Sequence, residues 1–270
     1  MVLAPIEQFD DDIHVSASSV RSIIEGCPRE AFYKYIAGYE PQDRSSGLVL
    51  GSAVHEALAL FYLTLQQSHR EATLQEMVDI AHASIDAAEN VHTKDGEEPM
   101  KVTATRLIEA FLEHGYRPRG KILAVEERFS ITVHDPYTGE VLPERLIGYF
   151  DLVEAVDGGV VVTDHKTAAR HDKAKGEEQD IQMALYAHAA RQIYGVEHVT
   201  LQFQSLIKTK EAKVVVQPLV PQDTDTALET VYSAVTHMNL ALNMDRPEVL
   251  MYKRPSWKCP GCGYRSRCQG

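Results

Sequence analysis

The sequence is poor in cysteine, in tryptophan and in long apolar runs: of 270 residues, four are cysteine and one is tryptophan. No apolar run approaches the ~20 residues that a membrane span needs, so no span is expected. The opening residues, MVLAPIEQFDDD, are acidic and lack a basic segment followed by an apolar core. They do not read as a secretory signal, and a cytoplasmic protein is expected. Basic residues are outnumbered 27 to 39, for a net charge of −12, which argues against coating nucleic acid by bulk charge. A local basic groove remains compatible, because the last twenty residues hold Lys253, Arg254, Lys258, Arg265 and Arg267 and no acid. No G-x-x-x-x-G-K-[ST] phosphate loop occurs, so the chain carries no helicase motor of its own. There is no internal repeat and no low-complexity segment.

What is present reads as an ordinary globular domain, 44% hydrophobic and 24% charged, long enough to bury about 75% of its unfolded surface. Residues 16–36 read as helical pieces broken at Cys27-Pro28. A helical period follows from Ser52 to about Tyr116, interrupted at 95–99. At Lys121 the period changes to that of strands. KILAVEERFSITVH, ERLIGYFDLVEAV and VVVTDHKT, joined by DPYTGE and DGG, form an antiparallel meander. DIQMALYAHAARQIYG is a helix ending at Gly195. VTLQFQSLI alternates apolar with polar residues (Thr200, Gln202, Gln204), which predicts a half-buried strand. AKVVVQPLV pairs with it, and 223–243 is a further helix. The order predicts an α/β core with a helical N-terminal insertion.

The four cysteines are Cys27, Cys259, Cys262 and Cys268; the last three follow C-x2-C-x5-C, and 231 residues separate them from the first. Two disulfides, buried inert thiols and a four-thiolate metal centre all use such a set. A cytosolic chain with a large core seldom needs disulfides, and three cysteines within ten residues favour a metal centre. Zinc and iron–sulfur clusters both take four thiolates. Zinc ribbons present two close pairs and here there is one, so the pattern leans towards iron–sulfur.

The chemistry-bearing stretch is the hairpin from Gly148-Tyr149-Phe150-Asp151 to Asp164-His165-Lys166. With Asp157-Gly158 as a two-residue loop, Asp151 lies opposite Asp164; with Gly158-Gly159, it lies opposite Lys166. By strict alternation both registers put Asp151, Asp164 and Lys166 on one face. A solvated face with a surface ion pair is the plain reading. The apolar flanks suggest a core strand instead, where two adjacent carboxylates are costly unless a cation lies between them.

Taken in order, Gly51-Ser52-Ala53-Val54-His55, Gly148-Tyr149-Phe150-Asp151, Asp164-His165-Lys166 and Gln182-Met183-Ala184-Leu185-Tyr186 resemble the PD-(D/E)xK nuclease superfamily. With one cysteine before these motifs and three after, the chain resembles its RecB-like exonuclease branch, of the AddB and CRISPR-associated kind, which carries a four-cysteine iron–sulfur cluster. Asp164 stands where many relatives have Glu.

The resemblance spans about Ser16 to the C-terminus. It implies one nuclease domain over 1–270, an α/β restriction-endonuclease-like core whose mixed central sheet is flanked by helices. Within it, about 52–118 is the helical insertion, 121–220 the core sheet, and 27 and 259–268 the segments joined by a [4Fe–4S] cluster on Cys27, Cys259, Cys262 and Cys268.

Asp151, Asp164 and Lys166 are implied to be catalytic. His55, Asp151, Asp164 and the His165 carbonyl are implied to hold Mg²⁺ or Mn²⁺, hard cations that suit oxygen ligands, with the imidazole favouring Mn²⁺. Such an ion acidifies water, which Lys166 would orient or help deprotonate. Gln182 and Tyr186, four apart on one helix face, are implied to touch DNA. Glu126 or Glu127 matches a further family acid, and strand period alone leaves open which faces inward.

Other basic residues (Arg29, Lys34, Arg170, Lys173, Lys175) read as surface or strand path, and Trp257 as packing beside the cysteines. The implied function is a metal-dependent DNA exonuclease on single strands or ends, in recombination, repair or CRISPR and phage DNA processing. Helicase, recombinase or integration partners and no membrane go with it. A zinc-stapled nuclease is a variant of this reading, and a non-catalytic DNA-binding scaffold subunit is its rival.

Overall fold

The computed structural model describes residues 14–93, 98–169, 181–220 and 223–269. The break at 95–99, together with Arg170, Lys173 and Lys175, therefore lies wholly or partly outside the described residues. The chain opens with strand β1 (His14–Ser16) and helix α1 (Ala17–Ile24), which starts in a reciprocal cap between Ser16 and Ser19. Helix α2 (Pro28–Ala31) begins after Cys27, with proline in its first turn, and runs into a π-helical turn, Phe32–Ile36. Strand β2 (Arg44–Ser45), helix α3 (Ser46–Ser68), helix α4 (Leu74–Asp86), strand β3 (Val91–His92) and helix α5 (Met100–His114) follow.

The core strands are β4 (Ile122–His134), β5 (Val141–Val156) and β6 (Gly159–Ala168), then helix α6 (Ile181–Tyr194), β7 (His198–Ile207) and β8 (Lys213–Leu219). Helices α7 (Thr224–Leu242) and α8 (Arg265–Gln269) end the chain.

Six strands form one mixed sheet, in which β5 pairs with β4, β6 and β1, β6 with β7, and β7 with β8. The β1/β5 and β6/β7 pairs are parallel and the others antiparallel. β4 follows one edge of β5, so β1 (at 145–147) and β6 (at 152–156) share the other edge. The stretch between them, 148–151, holds the glycine and the aspartate of the hairpin motif. The β5/β6 register runs from Val156↔Gly159 to Leu152↔Thr163. The loop is therefore Asp157-Gly158, with Gly158 at φ +78°, a backbone that glycine adopts without a steric cost.

Apolar clusters cover both faces of the sheet. The first joins α1, α6 and α7 to Phe129, Ile131, Phe150, Val162 and Leu201; the second joins α3, α4 and α5 to Ile122, Leu152 and Leu206. Helix packing on both faces overturns the half-buried reading of β7: Gln202 is 8% exposed and Gln204 fully buried. The expectation about membrane spans also changes. Helix α3 is long and apolar enough to cross one by length and composition alone, although polar residues interrupt its apolar runs. In the fold its residues Val54, Ala57, Leu58, Phe61 and Tyr62 are buried in the second core.

Candidate active site

Gly51 and Gly148 let the elements meet. A Cβ on Gly51 would lie 3.3 Å from Thr167 Oγ1, so the glycine brings α3 close against the end of β6. A Cβ on Gly148 would lie 2.4 Å from the Phe129 ring. The missing side chain lets that ring cross β5 and pack on Phe150 at 4.6 Å and Tyr186 at 5.7 Å.

The two acids occupy places where strand alternation fails. Ala124 and Phe129, of opposite parity, share the first core, as do Phe150 and Val153. The register brackets Glu126 against Asp151, through Val125↔Leu152 and Glu127↔Phe150. Glu126 has φ +46°, a left-handed backbone uncommon for a residue with a Cβ. It is Glu126 that turns to the site, while Glu127 is exposed. No composition signal marks a non-glycine residue for positive φ, so strand period could not find this.

His55, projecting from α3, is the hub. Its Nδ1 lies 3.3 Å from Glu126 Oε1 and 3.7 Å from Asp151 Oδ2, and its Nε2 is 2.9 Å from the His165 carbonyl. Burial opposes charge on this ring, but the Glu126 hydrogen bond and the charges of Asp151, Glu126 and Asp164 outweigh it and raise its pKa to about 9. Burial, then the neighbouring Asp164 charge, push Asp151 up to about 8 even though it accepts the His165 N–H at 2.6 Å. Ligand atoms of His55, Glu126 and Asp151 all lie within 4.8 Å of one another. One imidazole and two carboxylates, held close and mutually strained by charge, are a donor set that suits a hard divalent cation.

Asp164 adjoins this trio without belonging to it. Its Oδ2 is 2.7 Å from Lys166 Nζ, and its Oδ1 accepts from Gln182 Nε2 at 3.2 Å. Gln182 also accepts from Lys166 Nζ at 3.2 Å and donates to the Tyr186 hydroxyl at 2.8 Å. Both helix residues thus brace the site from inside, and Tyr186 is 6% exposed. Burial and the Asp164 and Asp151 charges hold the Tyr186 hydroxyl well above its usual pKa, so it stays protonated.

Two positioning residues carry no motif. The Tyr116 backbone N–H can only donate, so Gln204 turns Oε1 towards it. The Gln204 amide NH₂ then donates to the Tyr62 hydroxyl at 3.2 Å and to His165 Nδ1 at 3.1 Å. This leaves the His165 proton on Nε2. Burial, with the His55 and Lys166 charges, keeps that ring neutral, its pKa well below the usual imidazole value. The ring stacks on Tyr62 at 5.4 Å with an 8° tilt. His165, between Asp164 and Lys166, is locked from behind the sheet, which fixes where its carbonyl points.

The terminal segment folds back on α1 and α2. Arg29 donates to the Met251 and Glu248 carbonyls at 2.6 and 3.1 Å, and the Tyr33 hydroxyl to the Arg267 carbonyl at 3.3 Å. Arg29 is therefore a structural clamp, not a solvated surface residue. The Arg254 N–H reaches Cys27 Sγ at 3.5 Å, and a Cβ on Gly263 would strike Pro41 at 2.6 Å. All four cysteines are free thiols. Burial raises the Cys262 pKa, and the Glu30, Cys27 and Cys268 charges add to the rise. Trp257 does not pack: it is 85% exposed.

Among solved structures, the chain is similar to a candidate exonuclease from Eubacterium rectale. Identity is 15% over 96% of this chain and 91% of that one, at a TM-score of 0.56, a likeness of fold. SSO0001 aligns with 93% of this chain and 94% of its own at 12% identity, but its TM-score of 0.35 carries no argument. Nothing among the curated proteins matches. The sequence pattern of one family matches residues 14–269, nearly the whole length. With that match and an α/β sheet presenting these acids, the chain belongs to the PD-(D/E)XK nuclease superfamily.

Proposed function

We propose that the chain is a metal-dependent DNA exonuclease acting on single strands or ends. The observation that carries this reading is the His55–Glu126–Asp151 group beside the Asp164–Lys166 pair. His55 Nδ1, Glu126 and Asp151, beside Asp164, would hold Mg²⁺ or Mn²⁺, while the His165 carbonyl accepts from His55 Nε2 and so keeps Nδ1 turned to the acids. Such an ion supplies Lewis acidity and an acidified water. Lys166 Nζ, held by Asp164 and Gln182, is placed to donate to a phosphate oxygen or to orient the attacking water. Glu126 and Asp151 hold the Nδ1 side of His55, and Gln182 bonds both members of the Asp164–Lys166 pair and so fixes their place.

We also assign a structural [4Fe–4S] cluster to Cys27, Cys259, Cys262 and Cys268, in support of which the terminal segments are laced together beside Cys27. Recombination, repair or CRISPR-type end processing in the cytoplasm, with a helicase or integration partner supplying unwinding, belongs to the same proposal.

The test is digestion of end-labelled single-stranded DNA with Mn²⁺, using anaerobically purified protein beside Lys166→Ala and Asp164→Ala. Cleavage lost in both variants, with visible iron–thiolate absorption retained, supports the reading. Equal cleavage in all three proteins assigns the activity to a contaminant. No cleavage in any, with DNA still bound, supports the scaffold alternative.

A further inference from the structure

Among the described residues five aromatic side chains are exposed: Tyr35, Tyr39, Tyr137, Tyr252 and Trp257. Four of them lie in the lobe made by residues 24–45 and 250–269, and each of the four carries a cation over its ring. Lys34 Nζ is 4.9 Å from the Tyr35 centroid, Arg267 4.0 Å from Tyr39, Arg254 5.5 Å from Tyr252, and Lys258 5.8 Å from Trp257. The fifth, Tyr137, stands in the β4–β5 turn against Tyr232.

The lobe is one body. Arg254 donates to the Tyr252 hydroxyl at 2.8 Å and to the Ile24 carbonyl at 3.2 Å, Gln42 N–H donates to the Gly263 carbonyl at 2.9 Å, and the Tyr33 and Tyr264 rings meet at 5.9 Å. Its two segments hold eight basic and four acidic residues, in a chain that is otherwise strongly acidic.

We infer that this lobe is a single-strand nucleic-acid platform, separate from the hydrolytic site, on which Trp257 and Tyr252 stack bases while Lys258 meets phosphates and Lys253 and Arg254, tied to the Cys268 and Ile24 carbonyls, add fixed positive charge. Aromatic faces alternating with cations are what a flexible polyanion with exposed bases requires. A duplex hides those faces in its own stack. The acidic remainder repels the same polyanion and so directs it here. Of the five exposed large apolar side chains in the lobe, four are aromatic rings and one, Ile24, is aliphatic and 36% exposed, too little for the apolar face that enters a bilayer. The inference rests on the nuclease reading, for which the platform supplies a hold on the strand beyond the site of cleavage.

Trp257 is the sole tryptophan, so intrinsic tryptophan emission reports this position alone. The test titrates the intact protein, with no divalent metal added, with fluorescein-labelled and unlabelled oligo(dT), reading anisotropy and tryptophan emission in parallel. Quenching that saturates together with anisotropy is expected. Trp257→Ala should weaken binding about tenfold and Trp257→Phe should restore most of it. Lys258→Ala should lower the salt dependence of binding by about 0.7 in the log–log slope.

Binding with unchanged emission and an unaffected Trp257→Ala variant overturns the platform, as does equal quenching by anionic phospholipid vesicles. Failure of the two readings is distinguishable. Cleavage without quenching sinks the platform alone. Quenching without cleavage in any divalent metal sinks the hydrolytic reading and leaves the platform standing.

Discussion

Asp151 is buried beside Asp164 and Glu126, and its charge should cost stability that function repays. Its carboxyl titrates at about 8, against an ordinary 3.8. A raised folded-state pKa means that the folded chain holds the proton more tightly. Stability is then full below pH ~4 and falls as pH rises through about 8. His55, raised from 6.5 to about 9, acts in the same direction, its contribution fading as pH passes 9. Each tenfold in proton affinity corresponds to ~1.4 kcal/mol, so the Asp151 shift sets a ceiling of ~6 kcal/mol on the cost of its charge.

The imidazolium of His55 returns part of this, and we expect Asp151→Asn to stabilise chelator-treated protein by ~2 kcal/mol at pH 8.5. For a chain of this size that is about 4–8 °C in Tm. The assay is thermal unfolding with and without Mn²⁺, from pH 5 to 9. Wild type should lose Tm with rising pH when stripped of metal and regain it with Mn²⁺. Asp151→Asn should be flatter with pH, indifferent to Mn²⁺ and inactive. A variant less stable than wild type at pH 8.5, or a flat wild-type profile, would refute the reasoning.

Mn²⁺ affinity measured by calorimetry should rise between pH 7 and 9, because the ion displaces protons from His55 and Asp151 and so releases them on binding; proton release near zero would contradict the cluster. Gln204→Leu removes the donor that orients His165, and should weaken Mn²⁺ binding about tenfold and destabilise the fold by ~1–3 kcal/mol. The discriminating readout is the calorimetric affinity, which a purely structural loss would leave alone. Gly148→Ala forces a methyl into the Phe129 ring and should cost ~1–3 kcal/mol in urea unfolding; pairing it with Phe129→Leu should recover part of that loss. Cys268→Ser should abolish visible absorption and lower Tm, while Cys259, being exposed, should react first with a thiol reagent once the cluster is removed.

Local signals in the chain were enough for the element order, the hairpin and the motif residues. Strand and helix periods report which side chains alternate, and Gly-containing turns report where the chain reverses, so 121–168 reads as a meander from sequence alone. The structure chose the Asp157-Gly158 loop from the two registers that period allowed, and the pairing runs to Leu152↔Thr163, just short of Asp151 and Asp164. It also decided matters that period cannot reach. Glu126 rather than Glu127 faces His55 because the backbone at 126 turns left-handed, a strain that only the surrounding sheet and helix can hold. Gln204 reads as a solvent-side residue of a two-period strand, yet α3–α5 cover that face and make it a positioning residue with Tyr62. Trp257 reads as packing because large apolar side chains usually pack, but among the described residues no neighbour covers it. A sequence specifies what each residue can do locally; which face is covered, and which acid meets which imidazole, follows from contacts between residues far apart in the chain.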